Sequence, residues 1–174
     1  MSASTRSSRR LPSRRELAVW RAYFETSQEL HRLVGARLQA DSGLSNPDYA
    51  VMVTLSEAVQ RTMRSSDLAA HIGWDRSRLS HHLGRMEKRG LIRRERCADD
   101  SRGALIVLTD DGLQLYRRCS VPHLCDIREL FVDALTPHQL AAIGEATAAL
   151  RTHLDSLVDK ATEVPDPTTT KETT

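Results

Sequence analysis

Between Arg76 and Arg89 the sequence RSRLSHHLGRMEKR sorts its residue types by face. At about 100° per residue on a helix, Leu79, Leu83 and Met86 fall on one side. Ser77, His81, Gly84 and Lys88 fall opposite, flanked by Arg78, Ser80 and Arg85, with Arg76 at the start. The polar face is small, rich in hydrogen-bond donors and cationic. Such a face suits the major groove of duplex DNA, where base edges present acceptors and phosphates line the rim. A solvated basic face is the plainer alternative for any single helix. The next segment adds a second basic element: Arg93, Arg94 and Arg96 precede a turn that carries Asp100 and Arg102. An arginine at a loop tip can enter a narrow minor groove, and an adjacent carboxylate can hold it in place by a charged hydrogen bond. An ordinary polar turn whose charges cancel is the other reading of that loop.

Other reactive side chains form weaker sets. Cys119, His123 and Cys125 lie in one stretch and His81-His82 in another. Adjacent histidines diverge on a helix and a zinc site needs a tetrahedral set, so no metal ligand set is assigned. Cys97 beside Arg96 has the surroundings of an oxidant-sensitive thiolate, against the plainer reading of a half-buried structural thiol. No phosphate loop, nucleophile elbow, zinc-protease helix or paired carboxylate is found, so the chain does not read as an enzyme and no cofactor is expected.

The elements that must position these residues are mostly helical. Leu17, Trp20, Phe24, Ser27, Leu30, Val34 and Leu38 step by three or four, giving one long amphipathic helix that Asp41-Ser42-Gly43 stops. Ser45-Asn46-Pro47-Asp48 caps a second helix to about Ala58, with Leu44 and Tyr49 placed as a hydrophobic staple. A short helix over Asp67–Ile72 ends at Gly73, and the polar-faced helix from Arg76 to about Arg89 ends at Gly90. Leu91–Cys97 and Ala104–Leu108 read as strands of a hairpin around Asp99–Gly103. Thr109 with Asp110 and Asp111 caps a long helix that Pro122 is expected to kink or break. Thr136-Pro137-His138-Gln139 starts the last helix, where Leu140, Ile143, Thr147, Leu150, Leu154 and Leu157 nearly form a coiled-coil seam. Helix, turn, helix and hairpin in that order make a winged helix-turn-helix.

Charge follows the same plan. The net charge is +2, yet the first 15 residues carry five arginines and no acid. Residues 76–96 carry eight bases against two acids, so the rest of the chain is acidic. A compact basic segment on an acidic body points to a focused polyanion contact. Three cysteines at unlike spacings argue against a disulfide framework, and no apolar run reaches membrane-spanning length. A soluble cytoplasmic protein is expected, with residues 1–12 as a disordered basic tail and 161–174 as a second disordered tail.

Asp100-Ser101-Arg102, followed by Leu108-Thr109-Asp110-Asp111-Gly112, is similar to the wing signature of the MarR family of regulators. Leu68-Ala69, Arg76-Ser77-Arg78-Leu79-Ser80, Met86-Glu87 and Arg89-Gly90-Leu91-Ile92 resemble that family's helix-turn-helix pattern. The resemblance spans about residues 15–160. It implies a single domain over 13–160, mainly α with a small β-hairpin wing. Its DNA-binding part would be 44–109 and its helical dimerisation part 13–41 with 110–160. It further implies a homodimer in which Leu17, Leu140, Ile143, Leu150, Leu154 and Leu157 meet a second copy, a palindromic DNA operator, and repression. A small aromatic or anionic effector that weakens DNA binding would sit in a cleft near Trp20, Tyr49 and His123, with Arg128 for a carboxylate. Those aromatics read equally as plain core or interface. Two departures stand out: a bulky Trp74 in the turn, and no cysteine in the first helix, where the family's peroxide sensors keep theirs. The rival readings are a metal- or thiol-gated regulator and a winged-helix protein-interaction module that binds no DNA.

Overall fold

Helix caps written in the sequence set most of the architecture. The computed structural model describes residues 10–96 and 104–162, with side chains to residue 158. Helix α1 (Arg14–Ser42) opens on a reciprocal cap between Ser13 and Glu16 and closes on Gly43 at φ +70°, a left-handed turn that a side chain disfavours. Helix α2 (Asn46–Glu57) starts at Ser45, whose hydroxyl and backbone are both tied to Asp48. Leu44, just before this cap, is fully buried. Val51, Met52 and Leu55 of α2 are fully buried too, which makes α2 the central helix of the unit.

After α2 the chain does something unforeseen. A 3-10 turn (Val59–Arg61) places Gln60 and Arg61 at positive φ and leads into a third strand, β1 (Thr62–Arg64). Helix α3 (Ser65–Ile72) and helix α4 (Arg76–Lys88) come next, joined through Gly73 at φ +68°. Strands β2 (Ile92–Arg96) and β3 (Ala104–Leu108) pair antiparallel, Ile92 opposite Leu108 and Arg96 opposite Ala104. Strand β1 pairs antiparallel on the other side of β3, Thr62 opposite Val107, so the sheet order is β1-β3-β2. The wing is therefore a hairpin completed by a strand from before the helix-turn-helix. The predicted tip, with Cys97, Asp100 and Arg102, lies outside the described residues, as do residues 1–9 and 163–174.

Helix α5 (Asp110–Ile127) is capped by Thr109, whose hydroxyl accepts from Gly112 N–H and donates to the carbonyls of Gly90 and Leu91. A Cβ on Gly112 would collide with the Leu91 carbonyl, so the glycine lets the helix start press against the backbone that leads into β2. The break expected at Pro122 does not occur: α5 runs through it and continues into a π turn (Arg128–Val132). Pro122 is on the exposed side, while Cys119 and His123 are buried and α5 packs along α1. Tertiary packing outweighs one lost backbone hydrogen bond. Arg37 of α1 reinforces this pairing, meeting Asp126 at 2.8 Å and forking onto both oxygens of Glu129 at 2.9 Å.

The chain divides into two compact units, residues 1–130 and 131–174. The first holds everything above as far as Leu130, around a core of leucine, valine, isoleucine and methionine side chains from α1 to β3. The second is built on helix α6 (Pro137–Thr162), which Thr136 and Gln139 open by a reciprocal cap. Within α6, Ile143, Leu150, Leu154 and Leu157 stay exposed along one stripe.

Candidate nucleic-acid interface

Helix α4 is fixed at its start from two directions. Asp75 Oδ1 accepts from Arg78 N–H at 2.7 Å, satisfying an end donor. Trp74 N–H bonds the Ala69 carbonyl at 2.9 Å, closing the turn from α3. With the start fixed, Leu79, His82, Leu83 and Met86 point into the core. Arg76, Ser77, Arg78, Ser80, His81, Arg85 and Lys88 are all exposed. Every predicted recognition-helix residue is thus solvent-accessible, clear of the core side of α4.

The surroundings of that face were not foreseen. Trp74, the bulky residue in the turn, is half-buried and carries the Arg78 guanidinium 4.5 Å above its ring. A cation over an indole is held by the ring quadrupole, so Trp74 is a platform rather than an obstruction. The Arg94 guanidinium passes beside Gly84, where a Cβ would meet it at an ordinary contact distance of 3.9 Å, and donates to the Ser80 carbonyl at 2.9 Å. Arg94 N–H also meets Glu87 at 3.2 Å, so this arginine straps β2 to α4. Arg93, in contrast, is paired within its own strand to Glu95 at 2.7 Å.

Behind the face stands a buried polar group that periodicity had hidden. His82 is 5% exposed, with its ring edge-on to Trp74. Its Nδ1 is 3.0 Å from Arg85 Nη2, and its Nε2 is 3.1 Å from Asp48 Oδ1. The second contact is at ion-pair distance without the alignment of a full hydrogen bond. Asp48 also accepts from Ser45 N–H and Ser45 Oγ and from Arg89 Nη1, each at 2.9 Å, while Arg89 Nη2 donates to the Gly43 carbonyl. Burial pushes the Asp48 carboxyl up, but His82, Ser45 and Arg89 together pull it well below the ordinary carboxylate range. The sequence pattern identified Asp48 as a cap and Arg89 as a base, and nothing local joined either to His82.

The expected effector residues divide. Tyr49 and His123 meet at 4.3 Å between ring centroids, with Tyr116 5.6 Å from Tyr49. His123 is buried with Nδ1 unpartnered among the described residues; burial lowers its pKa, opposed by Asp126. Trp20 does not join them. It is 56% exposed and packs on Phe24 and Tyr23 of its own helix. It lies about 22 Å along α1 from Gly35, where α1 approaches Asn46. The spacing rule found α1's apolar stripe but could not say which of its turns faced α2. Arg128 is exposed at the head of the π turn.

Of the thiols, Cys119 is buried, donates to the Tyr116 carbonyl and has its pKa raised by burial, while Cys125 is exposed. Among the described residues no three His, Cys, Asp or Glu side chains gather as metal ligands, and no helix is long and apolar enough to cross a membrane.

Comparison with known proteins bears on this interface. Residues 44–103 match the family model for the MarR family. AbsC, a MarR family transcriptional regulator from Streptomyces coelicolor, is 37% identical, with a TM-score of 0.78 over 84% of this chain and 99% of its own. Sco3205, another from Streptomyces coelicolor, solved in complex with DNA, is 36% identical, with a TM-score of 0.81 over 85% of this chain and 92% of its own. An uncharacterized HTH-type transcriptional regulator of Bacillus subtilis, YdgJ, is 28% identical over 49% of this chain; the match spans about half its length, 51%. A shared fold, a matching family model and more than a third of residues identical across nearly the whole of AbsC agree: the chain belongs to the MarR family of transcriptional regulators.

Proposed function

We propose that this regulator binds double-stranded DNA sequence-specifically, as a homodimer on a palindromic operator, and acts as a repressor. One observation carries the reading: α4 presents seven exposed polar or cationic residues on a doubly anchored helix, and two of its arginines are steadied from behind, Arg78 by Trp74 and Arg85 by His82. A protein-interaction surface does not require long cations held in defined places; base reading does. In this reading Ser77, His81 and Arg85 face base edges, while Arg76, Lys88 and Arg93 supply phosphate contacts. Arg94, bound to Ser80 and Glu87, holds the wing to the helix; beyond the described residues, Arg102 is proposed to enter the minor groove and Asp100 to hold it. Sco3205 in its DNA complex supports the assignment through its likeness in fold and sequence. Residues 44–109 form the DNA-binding part, and 13–41 with 110–160 the dimerisation part. The exposed stripes of α1 and α6, Leu17 on the first and Ile143 to Leu157 on the second, are what a second copy covers.

A small aromatic or anionic effector is the second component. The buried His123 Nδ1 beside Tyr49, which has no partner among the described residues, favours it, because a buried polar atom without a partner is costly and a ligand acceptor or donor would satisfy it.

Selection of bound duplexes from a random pool tests the reading. An enriched palindrome with two half-sites about one helical turn apart is the expected result. Recovery of unenriched DNA, or of none, refutes it.

A further inference from the structure

We propose that His82 is a positioning residue for sequence reading, holding the Arg85 guanidinium in one place on the α4 face through its Nδ1 lone pair. The inference rests on the DNA-binding function proposed above. Arginine has donors only, so the contact of Arg85 Nη2 with His82 Nδ1 at 3.0 Å requires Nδ1 to be the acceptor. With Nδ1 accepting, the ring proton is on Nε2, the atom that faces Asp48 Oδ1 at 3.1 Å. Asp48 in turn is fixed by Ser45 and Arg89, and the ring by the edge contact with Trp74. A chain of contacts thus runs from a buried carboxylate to an exposed recognition arginine across residues three apart on one helix.

An apolar side chain would fill the same core position without the desolvation that a ring nitrogen brings. What imidazole adds is an outward-directed lone pair, and its partner is Arg85, an arginine that the proposed function assigns to base edges, where a bidentate contact to guanine is the commonest specific one. Arg85 donates to His82 through one amino group, leaving its other donors for DNA. A long flexible side chain held in place before binding loses less rotamer freedom on binding, and that gain is realised only where the base offers matching acceptors.

The test measures affinity for the selected operator, for operators changed at single base pairs, and for a random duplex, at fixed salt. The proteins are wild type, His82→Phe, His82→Gln, Arg85→Ala and the His82→Phe/Arg85→Ala double variant. His82→Phe should lose about tenfold on the operator, with preference relaxed at one base pair, and change the random duplex by less than about twofold. Glutamine offers an oxygen to Arg85 and an amino group to Asp48, so His82→Gln should recover most of the loss. In the Arg85→Ala background His82→Phe should have almost no further effect, because the two act through one contact. Equal loss on operator and random DNA, additive effects in the cycle, or tighter operator binding by His82→Phe would each overturn the inference. If His82→Phe does not fold, the imidazole nitrogen spectrum of the free wild-type protein decides. A proton on Nε2 supports the proposal and a proton on Nδ1 overturns it. A wild type that selects an operator while the cycle is additive loses only this inference; a wild type that binds no duplex loses the proposed function with it.

Discussion

At the residue scale, Asp48 joins three parts of the sequence: the Ser45 cap, the core histidine of α4 and Arg89 at its end. Removing a charge from such a group strands its partners. Asp48→Asn should therefore destabilise the fold by about 2–4 kcal/mol, measured by urea unfolding at about pH 7. The depressed carboxyl sets the sign of the pH dependence. Its contribution is present above the unfolded-state value near pH 4 and is lost as pH falls toward the lower folded-state value. The gap between wild type and variant should thus narrow as unfolding is repeated at lower pH, and a gap independent of pH would contradict the assignment. This site was the least legible part of the sequence. Arg89 and Asp48 are 41 residues apart, and a histidine at a core position of α4 gives no local sign of which carboxylate it will meet.

Elements were more legible, because their ends are chemical. Ser45, Thr109 and Thr136 announce helix starts through side chains that accept end N–H groups, and Gly43 and Gly73 announce stops through left-handed backbone. Strand β1 has no such announcement: three residues are too few for a period of two, and only pairing with β3 makes Thr62–Arg64 a strand. Pro122 fails to end α5 for the opposite reason: its local signal was strong, and packing on the far side of the helix overrode the break. The residual cost remains measurable. Pro122→Ala restores an N–H on the exposed side and should raise stability by about 1–3 kcal/mol, seen as a higher urea midpoint with an unchanged slope. A fall in stability would mean that the proline ring contributes packing that the helix needs.

On the scale of the whole molecule, two units each carry an apolar surface that their own folding leaves uncovered. Leu154 is 53% exposed on α6, with Leu150 and Leu157 beside it, and Trp20, Tyr23 and Phe24 line the outer face of α1. A second copy is the proposed cover, and charge placed in the seam should prevent it. The Leu150→Glu/Leu154→Glu variant should sediment as monomer or aggregate and lose operator binding, whereas the wild type sediments as dimer at micromolar concentration. A monomeric wild type would refute the proposal. The sheet order has a consequence of its own for how the wing opens. Leu105, Ile106 and Val107 of β3 have a neighbouring strand on each side, whereas β2 is paired only to β3. In deuterated water the amides of β2 that point away from β3 can exchange by local fraying, apart from Arg94 N–H, which Glu87 holds. Those of Leu105 to Val107 must wait until the sheet itself separates, so their common exchange rate is a clock for the stability of the wing's root.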